Sequence, residues 1–303
     1  MNLDSYRIDD CIIRIASEFG CNLYSWVIAG EEILYCPPGV PGPGTRFFAG
    51  GNPVLFPAVG RTWDRSGDTP VPDRYRIAGM EDPFTMPCHG VVPFGVWNKG
   101  LELVTDTSVQ VDYAFEVPEN VFDEHYPFNI SFALRFIFSG RRIAFEAAFQ
   151  NQGTSPAPMA FGLHPYFRFL GEERLDVDLP CAYQMVLEPD LLIPIGTEPL
   201  TSSRLVIANT DSCDMGYTGP TGRRATIRYP ASGRTLHIDC DESIEVFVTY
   251  SDGSGEYLCL EPWTRGCGMF ENLGGAGWEE RVQLIVLEPD EARTVSLAYS
   301  VAE

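Results

Sequence analysis

Several polar residues in this chain stand at the ends of apolar runs, where they could transfer protons or bind hydroxyl groups. His164 lies within FGLHPYF, residues 161–167, and directly precedes a proline that biases the histidine backbone away from the helical region. An unperturbed imidazole titrates near neutral pH, so His164 could donate or accept a proton. Tyr166 and Phe167 add aromatic rings that could pack against a sugar ring.

Glu261 ends the apolar run of YLCLEPW, residues 257–263. A carboxylate in such a place is costly to bury unless it is paired, and burial or pairing changes its pKa. Trp263 would offer a flat face to a sugar. Taken alone, Glu261 could instead be a solvent-facing strand end, and His164 a hydrogen-bonded core histidine.

Two further residues have the same setting. Arg61 follows GGNPVLFP, residues 50–57, and could offer a fork of donors to hydroxyl groups. His89 precedes Gly90, which would let another group approach the backbone closely. Each could be merely structural. Four such sites in a chain with only four histidines favour a common functional site over four unrelated ones.

The sequence lacks the motifs of several common classes of enzyme. The chain has no Gly-x-Ser-x-Gly elbow and no phosphate-binding loop ending in Gly-Lys. Its nine cysteines contain no Cys-x-x-Cys pair and match no zinc spacing. We therefore expect free, mostly buried thiols in a reducing compartment and no metal site. Proton transfer by an acid and a base requires no cofactor, and none is expected.

Charge and hydropathy limit the classes of binding partner that the protein could have. Asp and Glu outnumber Lys and Arg by 42 to 21, giving a net charge of −21. This balance argues against nucleic acids and anionic membranes, which bind basic surfaces. No apolar run approaches the roughly 20 residues that span a bilayer. The polar, acidic N-terminus does not resemble a signal peptide, so a cytoplasmic location is expected.

Hydrophobic residues recur with period two along most of the chain. Residues 128–138 and 143–149 alternate around Ser139-Gly140-Arg141, which predicts a long β-hairpin. Residues 282–286 and 295–301 predict a second hairpin around Pro289-Asp290. Helical periodicity is weak throughout. The pattern predicts an all-β protein, with one large antiparallel β-sandwich domain over residues 1–303.

Four segments together resemble the aldose 1-epimerase family, the galactose mutarotases. They are GNPVLFP (51–57) with the following arginine, HG (89–90), GLHPYF (162–167) and CLEPW (259–263), in matching order and spacing over nearly the whole chain. The resemblance implies a β-sandwich of the galactose mutarotase type with a sugar cleft across one sheet. It implies that Glu261 is the general base, that His164 is the general acid, and that His89 assists catalysis. The implied sugar-binding residues are Arg61, Asn52, Tyr166 and Trp263.

The substrate is less clearly indicated than the reaction. Many relatives, especially hexose-6-phosphate mutarotases, carry Phe-Ala-Arg after His-Gly, whereas this chain has VVP at 91–93. We therefore expect a neutral sugar, although Arg65, Arg74 and Arg76 could form a cationic patch. A hexose-6-phosphate mutarotase and a non-catalytic sugar-binding protein remain alternatives. A glycosidase is disfavoured because no second carboxylate has a comparable setting. The protein is expected to be a monomer or a homodimer.

Overall fold

A computed structural model of the 303-residue chain describes residues 3–37, 50–77, 80, 82–92, 95–116, 124–189, 191–266, 270, 277 and 279–302. Its strands are β1 Asp4–Ile8, β2 Cys11–Ala16, β3 Asn22–Ile28, β4 Glu31–Glu32, β5 Val54–Leu55, β6 Trp63–Asp64, β7 Val71–Pro72, β8 Arg74–Tyr75, β9 Phe84–Thr85, β10 Val96–Val104, β11 Val109–Glu116, β12 Ile130–Phe138, β13 Arg142–Asn151, β14 Ala157–Met159, β15 Gly162–Leu163, β16 Tyr166–Arg168, β17 Arg174–Asp178, β18 Cys181–Leu187, β19 Pro194–Pro199, β20 Arg204–Ala208, β21 Ser212–Pro220, β22 Arg224–Arg228, β23 Thr235–Cys240, β24 Val246–Asp252, β25 Tyr257–Trp263, β26 Ile285–Leu287 and β27 Ala292–Ala302. A short 3-10 helix covers Glu279–Arg281.

Two large antiparallel sheets dominate the molecule, which confirms the predicted all-β class. One has nine strands in the order β10-β11-β12-β13-β27-β23-β22-β17-β20. The other has the order β19-β18-β21-β24-β25-β15-β5, with β16 also paired to β25. No helix among the described residues is long and apolar enough to cross a membrane.

The first predicted hairpin is confirmed. Strands β12 and β13 pair antiparallel, with Phe138 opposite Ile143 across the turn. The side chains at 130, 132, 134, 136 and 138 are buried, whereas those between them are partly or fully exposed. Because side chains on a strand point alternately to opposite faces, the apolar set of β12 faces the core.

The second predicted hairpin is wrong, although both of its segments contain strands. Strand β26 pairs with β14, and β27 inserts between β13 and β23. The register of β26 also differs from the prediction, since Ile285 and Leu287 are buried and Val286 is 38% exposed. Strand β27 is hydrogen-bonded on both edges, to β13 and to β23, so it has no free edge left for β26.

Aromatic side chains join the two large sheets. Phe56, at the end of β5, stacks on Phe149 of β13 at 5.3 Å and contacts Phe132 of β12 at 5.0 Å. Phe167 of β16 meets Tyr299 of β27 edge-on at 5.5 Å. These contacts form the core between the sheets and fix the position of the eight-stranded sheet, whose other face carries the candidate site.

Candidate active site

A cavity of about 540 Å³ lies across one face of the eight-stranded sheet. Six of the seven site residues predicted from the sequence line it, namely Arg61, His89, His164, Tyr166, Glu261 and Trp263. They come from four separate parts of the chain. The sheet brings them together because β25 pairs with β15 and β16, and β15 pairs in turn with β5.

Alternation along β25 places Glu261 on the cavity face. Tyr257, Glu261 and Trp263 lie on the same face of the strand, at odd-numbered positions, and line the cavity. Leu258 and Leu260, at even-numbered positions, point to the opposite face and are buried in the core. Gly162 lies opposite Trp263 in the neighbouring strand, and a Cβ there would be 2.4 Å from the indole Cδ1. The glycine of the GLHPYF segment is therefore required for the indole to pack where it does.

His164 and Glu261 are in direct contact. The imidazole Nε2 of His164 lies 3.2 Å from Oε1 of Glu261, and both side chains are almost fully buried. Tyr166 stacks on the imidazole with a centroid distance of 4.7 Å and an angle of 12°. The His164 backbone N–H donates to the Pro53 carbonyl at 3.0 Å, so the GNPVLFP segment holds the histidine strand in place.

Burial opposes a charge on both members of this pair. Burial raises the pKa of Glu261 well above its ordinary value, and the charge of Asp214 adds to the effect. Burial lowers the pKa of His164 well below its ordinary value, with a smaller contribution from His89. Both shifts favour the neutral forms, and the contact itself favours the ion pair. In either form one proton lies between the two groups.

His89 lies beside this pair in an unusual backbone conformation, with φ at 66°. Its ring contacts that of His164 edge-on at 5.3 Å. The Gly60 N–H donates to Nδ1 of His89 at 3.1 Å, so Nδ1 is an acceptor and the neutral ring carries its hydrogen on Nε2. Burial and the charge of Arg61 lower the pKa of His89 to about 4. At neutral pH it is therefore an uncharged hydrogen-bond donor.

Gly90, next to His89, allows this arrangement. It forms an isolated bridge with Phe56, and the following residue, Val91, donates its N–H to the Phe56 carbonyl at 2.8 Å. A Cβ at position 90 would be 2.0 Å from that same carbonyl oxygen. Close approach of the two backbones explains the glycine in the His-Gly segment.

Arg61 reaches the cavity from the loop after β5. Its guanidinium Nη1 lies 3.6 Å from Oδ1 of Asp73, and its side chain is half exposed. Its positive charge contributes to the lowered pKa of His89. Arg76 forms an ion pair with Asp64 at 3.1 Å, and neither Arg65, Arg74 nor Arg76 is among the residues that line the cavity.

Asn52 is the one predicted site residue that the structure does not bring to the cavity. It is 1% exposed, its backbone N–H donates to Oδ1 of Asn22 at 2.7 Å, and the Tyr299 hydroxyl donates to its Oδ1 at 3.4 Å. Asn52 is thus part of the internal support of the GNPVLFP segment. The prediction that it contacts the sugar fails because its side chain faces inward.

Asp214 lines the cavity and was missed in the sequence. It lies in the interior of β21, where burial raises its pKa. A second carboxylate therefore lines the cavity, which no strand-end pattern in the sequence indicated. Asp214 lies inside a strand of mixed composition, between Cys213 and Met215, so it carries none of the strand-end signal that marked Glu261. Its alternation with Gly216, which also lines the cavity, is the only local indication.

One group of side chains at the site could hold a metal ion. Ligand atoms of His164, Cys259 and Glu261 lie within 4.8 Å of one another. Burial raises the pKa of the Cys259 thiol well above its ordinary value, and a metal would have to displace that proton. Tyr166 and Tyr257 also cover the thiol. These observations favour the acid–base role of the pair, and the expectation of a metal-free site remains a prediction.

The cysteines follow the sequence expectation as far as they are described. The eight cysteines within the described residues are free, and four of them are fully buried. Cys267 lies outside the described residues, as does Pro93, on which the argument about the arginine after His-Gly depends.

Comparison with known proteins agrees with the geometry. A profile of the aldose 1-epimerase family matches residues 14–300. Among solved structures, the Slr1438 protein of Synechocystis sp. PCC 6803 superposes with a TM-score of 0.80 at 19% identity, covering 99% of this chain and 96% of that one. A galactose mutarotase-like protein of Lactobacillus casei gives 0.76 at 16% identity, covering 99% and 100%. One from Clostridium acetobutylicum gives 0.75 at 16%, covering 99% and 94%. No curated protein sequence matches the chain.

Proposed function

Because the chain belongs to the aldose 1-epimerase family, we propose that it interconverts the α and β anomers of a free, neutral hexose or a related sugar. The observation that carries this proposal is the contact between His164 and Glu261 at the wall of a cavity of about 540 Å³. Anomer exchange removes a proton from one oxygen and adds one to another, so it needs a pair of this kind.

The proposed reaction conserves protons at each step. The pair reacts in its ion-pair form, with the proton on His164. Glu261 accepts the proton of the anomeric hydroxyl while His164 protonates the ring oxygen, and the C1–O5 bond breaks to give the open aldehyde. Rotation about C1–C2 presents the other carbonyl face, and the reverse transfers close the ring. Both oxygens are bonded to C1, so two groups in mutual contact can reach both of them.

The neighbouring side chains would bind and polarise the sugar. The Nε2–H of His89 would donate to a ring oxygen or hydroxyl, and because the pKa of His89 is about 4 it would do so as an uncharged ring at neutral pH. The Arg61 guanidinium would donate to further hydroxyls. Tyr166 and Trp263 would contribute ring faces for packing, and the Asp214 carboxylate would accept hydrogen bonds from hydroxyl groups.

The charges around the cavity favour a neutral sugar over a sugar phosphate. Asp214 and Glu261 both line the cavity, and among the described residues that line it Arg61 is the only arginine. A phosphate dianion would have to share that arginine with Asp73, in a protein of net charge −21. The hexose-6-phosphate mutarotase and the non-catalytic sugar-binding protein stay as alternatives. A binding protein would gain nothing from burying an acid–base pair.

Exchange spectroscopy by NMR separates these functions. We expect the protein to accelerate anomer exchange of glucose or galactose more than that of glucose 6-phosphate. Preference for the phosphate, weakening as salt rises, would identify the phosphate enzyme. Saturable sugar binding without acceleration would identify a binding protein. Because Asp214 adds a second carboxylate, methyl glucosides should be included as controls, and their hydrolysis would indicate a glycosidase instead.

A further inference from the structure

Two buried polar atoms of the reaction centre have no hydrogen-bond partner among the described residues. They are the indole Nε1 of Trp263 and the Oε2 of Glu261, which is the carboxylate oxygen that does not contact His164. Trp263 is 5% exposed and Glu261 is 1% exposed. Leaving buried polar atoms unpaired is costly, so a donor and an acceptor at one cavity wall suit a ligand that pairs with both.

The indole N–H lies close to the carboxylate. Trp263 and Glu261 are two residues apart on β25, and both side chains face the cavity. Burial and the charge of Asp214 raise the pKa of Glu261, whereas the Trp263 N–H opposes them, as a donor beside a carboxylate does. Since the two atoms are not hydrogen-bonded to each other, a ligand hydroxyl could accept from the indole and donate to the carboxylate.

The ring of Trp263 is held in one position. Its backbone pairs with Gly162 on one side and with Val246 on the other. A Cβ at position 162 would lie 2.4 Å from the indole Cδ1 and 3.1 Å from Nε1, so the nitrogen-bearing edge of the ring packs on the glycine. The ring of His89 meets the indole edge-on at 6.2 Å. A donor fixed in this way needs little reorganisation when charge develops beside it.

Ring opening places charge on the anomeric oxygen. As Glu261 removes the hydroxyl proton, the O–H bonding pair becomes the second bond of the aldehyde. The C1–O5 bonding pair passes to O5, which takes its proton from His164. During this exchange the anomeric oxygen carries partial negative charge, and a fixed N–H donor stabilises that charge more than it stabilises the hydroxyl of the closed ring.

We propose that the Nε1–H of Trp263 donates a hydrogen bond to the anomeric oxygen while the C1–O5 bond breaks. Trp263 is then a catalytic residue as well as a surface on which the sugar packs. This inference rests on the proposed function, because it takes Glu261 as the base that the anomeric hydroxyl contacts.

The first test removes the N–H and keeps the ring. In β-(3-benzothienyl)alanine a sulfur atom replaces the indole N–H. Its incorporation in place of Trp263 should lower kcat for glucose anomer exchange about tenfold, the effect of one hydrogen bond made in the transition state, with KM changed by less than about twofold.

The same replacement of Trp97 is the matched control. Trp97 is also 5% exposed, its Nε1 has no hydrogen-bond partner among the described residues, and it is not one of the described residues that line the cavity. Its replacement should leave kcat unchanged. An unchanged kcat after the replacement of Trp263, or equal losses at the two positions, would overturn the proposal.

A second test observes the indole N–H of the wild-type protein by NMR and does not depend on turnover. The Trp263 signal is assigned by its absence from Trp263→Phe, and the Trp97 signal is the internal reference. At saturating concentrations, glucose should move the Trp263 signal downfield, whereas 1,5-anhydroglucitol, which lacks only the anomeric oxygen, should not. A shift specific to glucose would support the contact even if no anomers exchange. Anomer exchange with equal shifts for the two sugars would overturn the contact and leave the proposed function intact.

Discussion

Replacing His89 with asparagine should make the protein less sensitive to mild acid. Asparagine tolerates the positive φ of 66° at this position better than other residues, and its side-chain oxygen can accept the hydrogen bond from the Gly60 N–H. The variant therefore keeps the local backbone and removes only the titrating ring. The variant therefore tests the lowered pKa of His89 and not the loss of its hydrogen bond with Gly60.

The magnitude follows from the pKa of His89, which is about 4 in the folded protein against 6.5 in the unfolded chain. Below pH 6.5 the unfolded state binds a proton at this residue that the folded state does not bind. Stability is therefore lost as the pH falls, and the loss is complete near pH 4. Between pH 7.5 and pH 5.0 this linkage amounts to about 2 kcal/mol. The value is an upper bound, since His89 is only partly buried.

Urea unfolding at pH 7.5 and pH 5.0 measures the effect. The free energy of unfolding of the wild type should fall by about 2 kcal/mol more than that of His89→Asn over this interval. The carboxylates and the burial of His164 are the same in both proteins and cancel in the difference, which leaves only the small part of the His164 shift that His89 causes. An equal fall in the two proteins would refute the assignment of a buried, neutral His89.

Three further outcomes are expected. The kcat/KM for anomer exchange should stay constant through neutral pH, with no step at pH 6.5, the pKa of a free imidazole. The reason is that the pKa of His164 is lowered and that of Glu261 is raised. A step at pH 6.5 in the rate profile would contradict this. Gly90→Ala should lower the free energy of unfolding in urea by about 3 kcal/mol more than Gly30→Ala does. Both glycines have positive φ, but only at Gly90 would the added Cβ meet a carbonyl oxygen, at 2.0 Å. Equal losses in the two variants would show that the backbones at Gly90 are farther apart. Thiol titration of the denatured protein without reductant should find nearly all nine cysteines free; recovery of several disulfides would be the opposite result.

The site residues that could be predicted from the sequence are polar residues that stand out from apolar neighbours. His164, Glu261, His89 and Arg61 each interrupt or end an apolar run beside glycine or proline, and the structure brings all four to one cavity. Asp214 had no such contrast, because it lies inside a strand of mixed composition and beside neither an apolar run nor a proline. Its place at the cavity is decided by strand order, which joins β21 to β24 and has no local signal.

In the fold, too, local features could be predicted from the sequence and long-range pairings could not. The β12–β13 hairpin was predictable because its pairing is local and its turn is short. The terminal hairpin was not, because β27 pairs with strands that are distant in the chain on both sides. Asn52 shows the remaining difficulty. The segment around it was identified, but which of its side chains faces the cavity depends on the packing of Tyr299 and Asn22 behind it.

The most direct test of the account is anomer exchange by Glu261→Gln, measured by NMR on glucose and galactose. The amide keeps the shape of the side chain and removes its basicity, so the rate should fall by roughly 10²–10⁴. Glu256→Gln is the matched control, since Glu256 is an exposed carboxylate that precedes the same strand and does not line the cavity. It should retain the wild-type rate. Exchange by Glu261→Gln at near the wild-type rate would contradict the role of the His164–Glu261 pair.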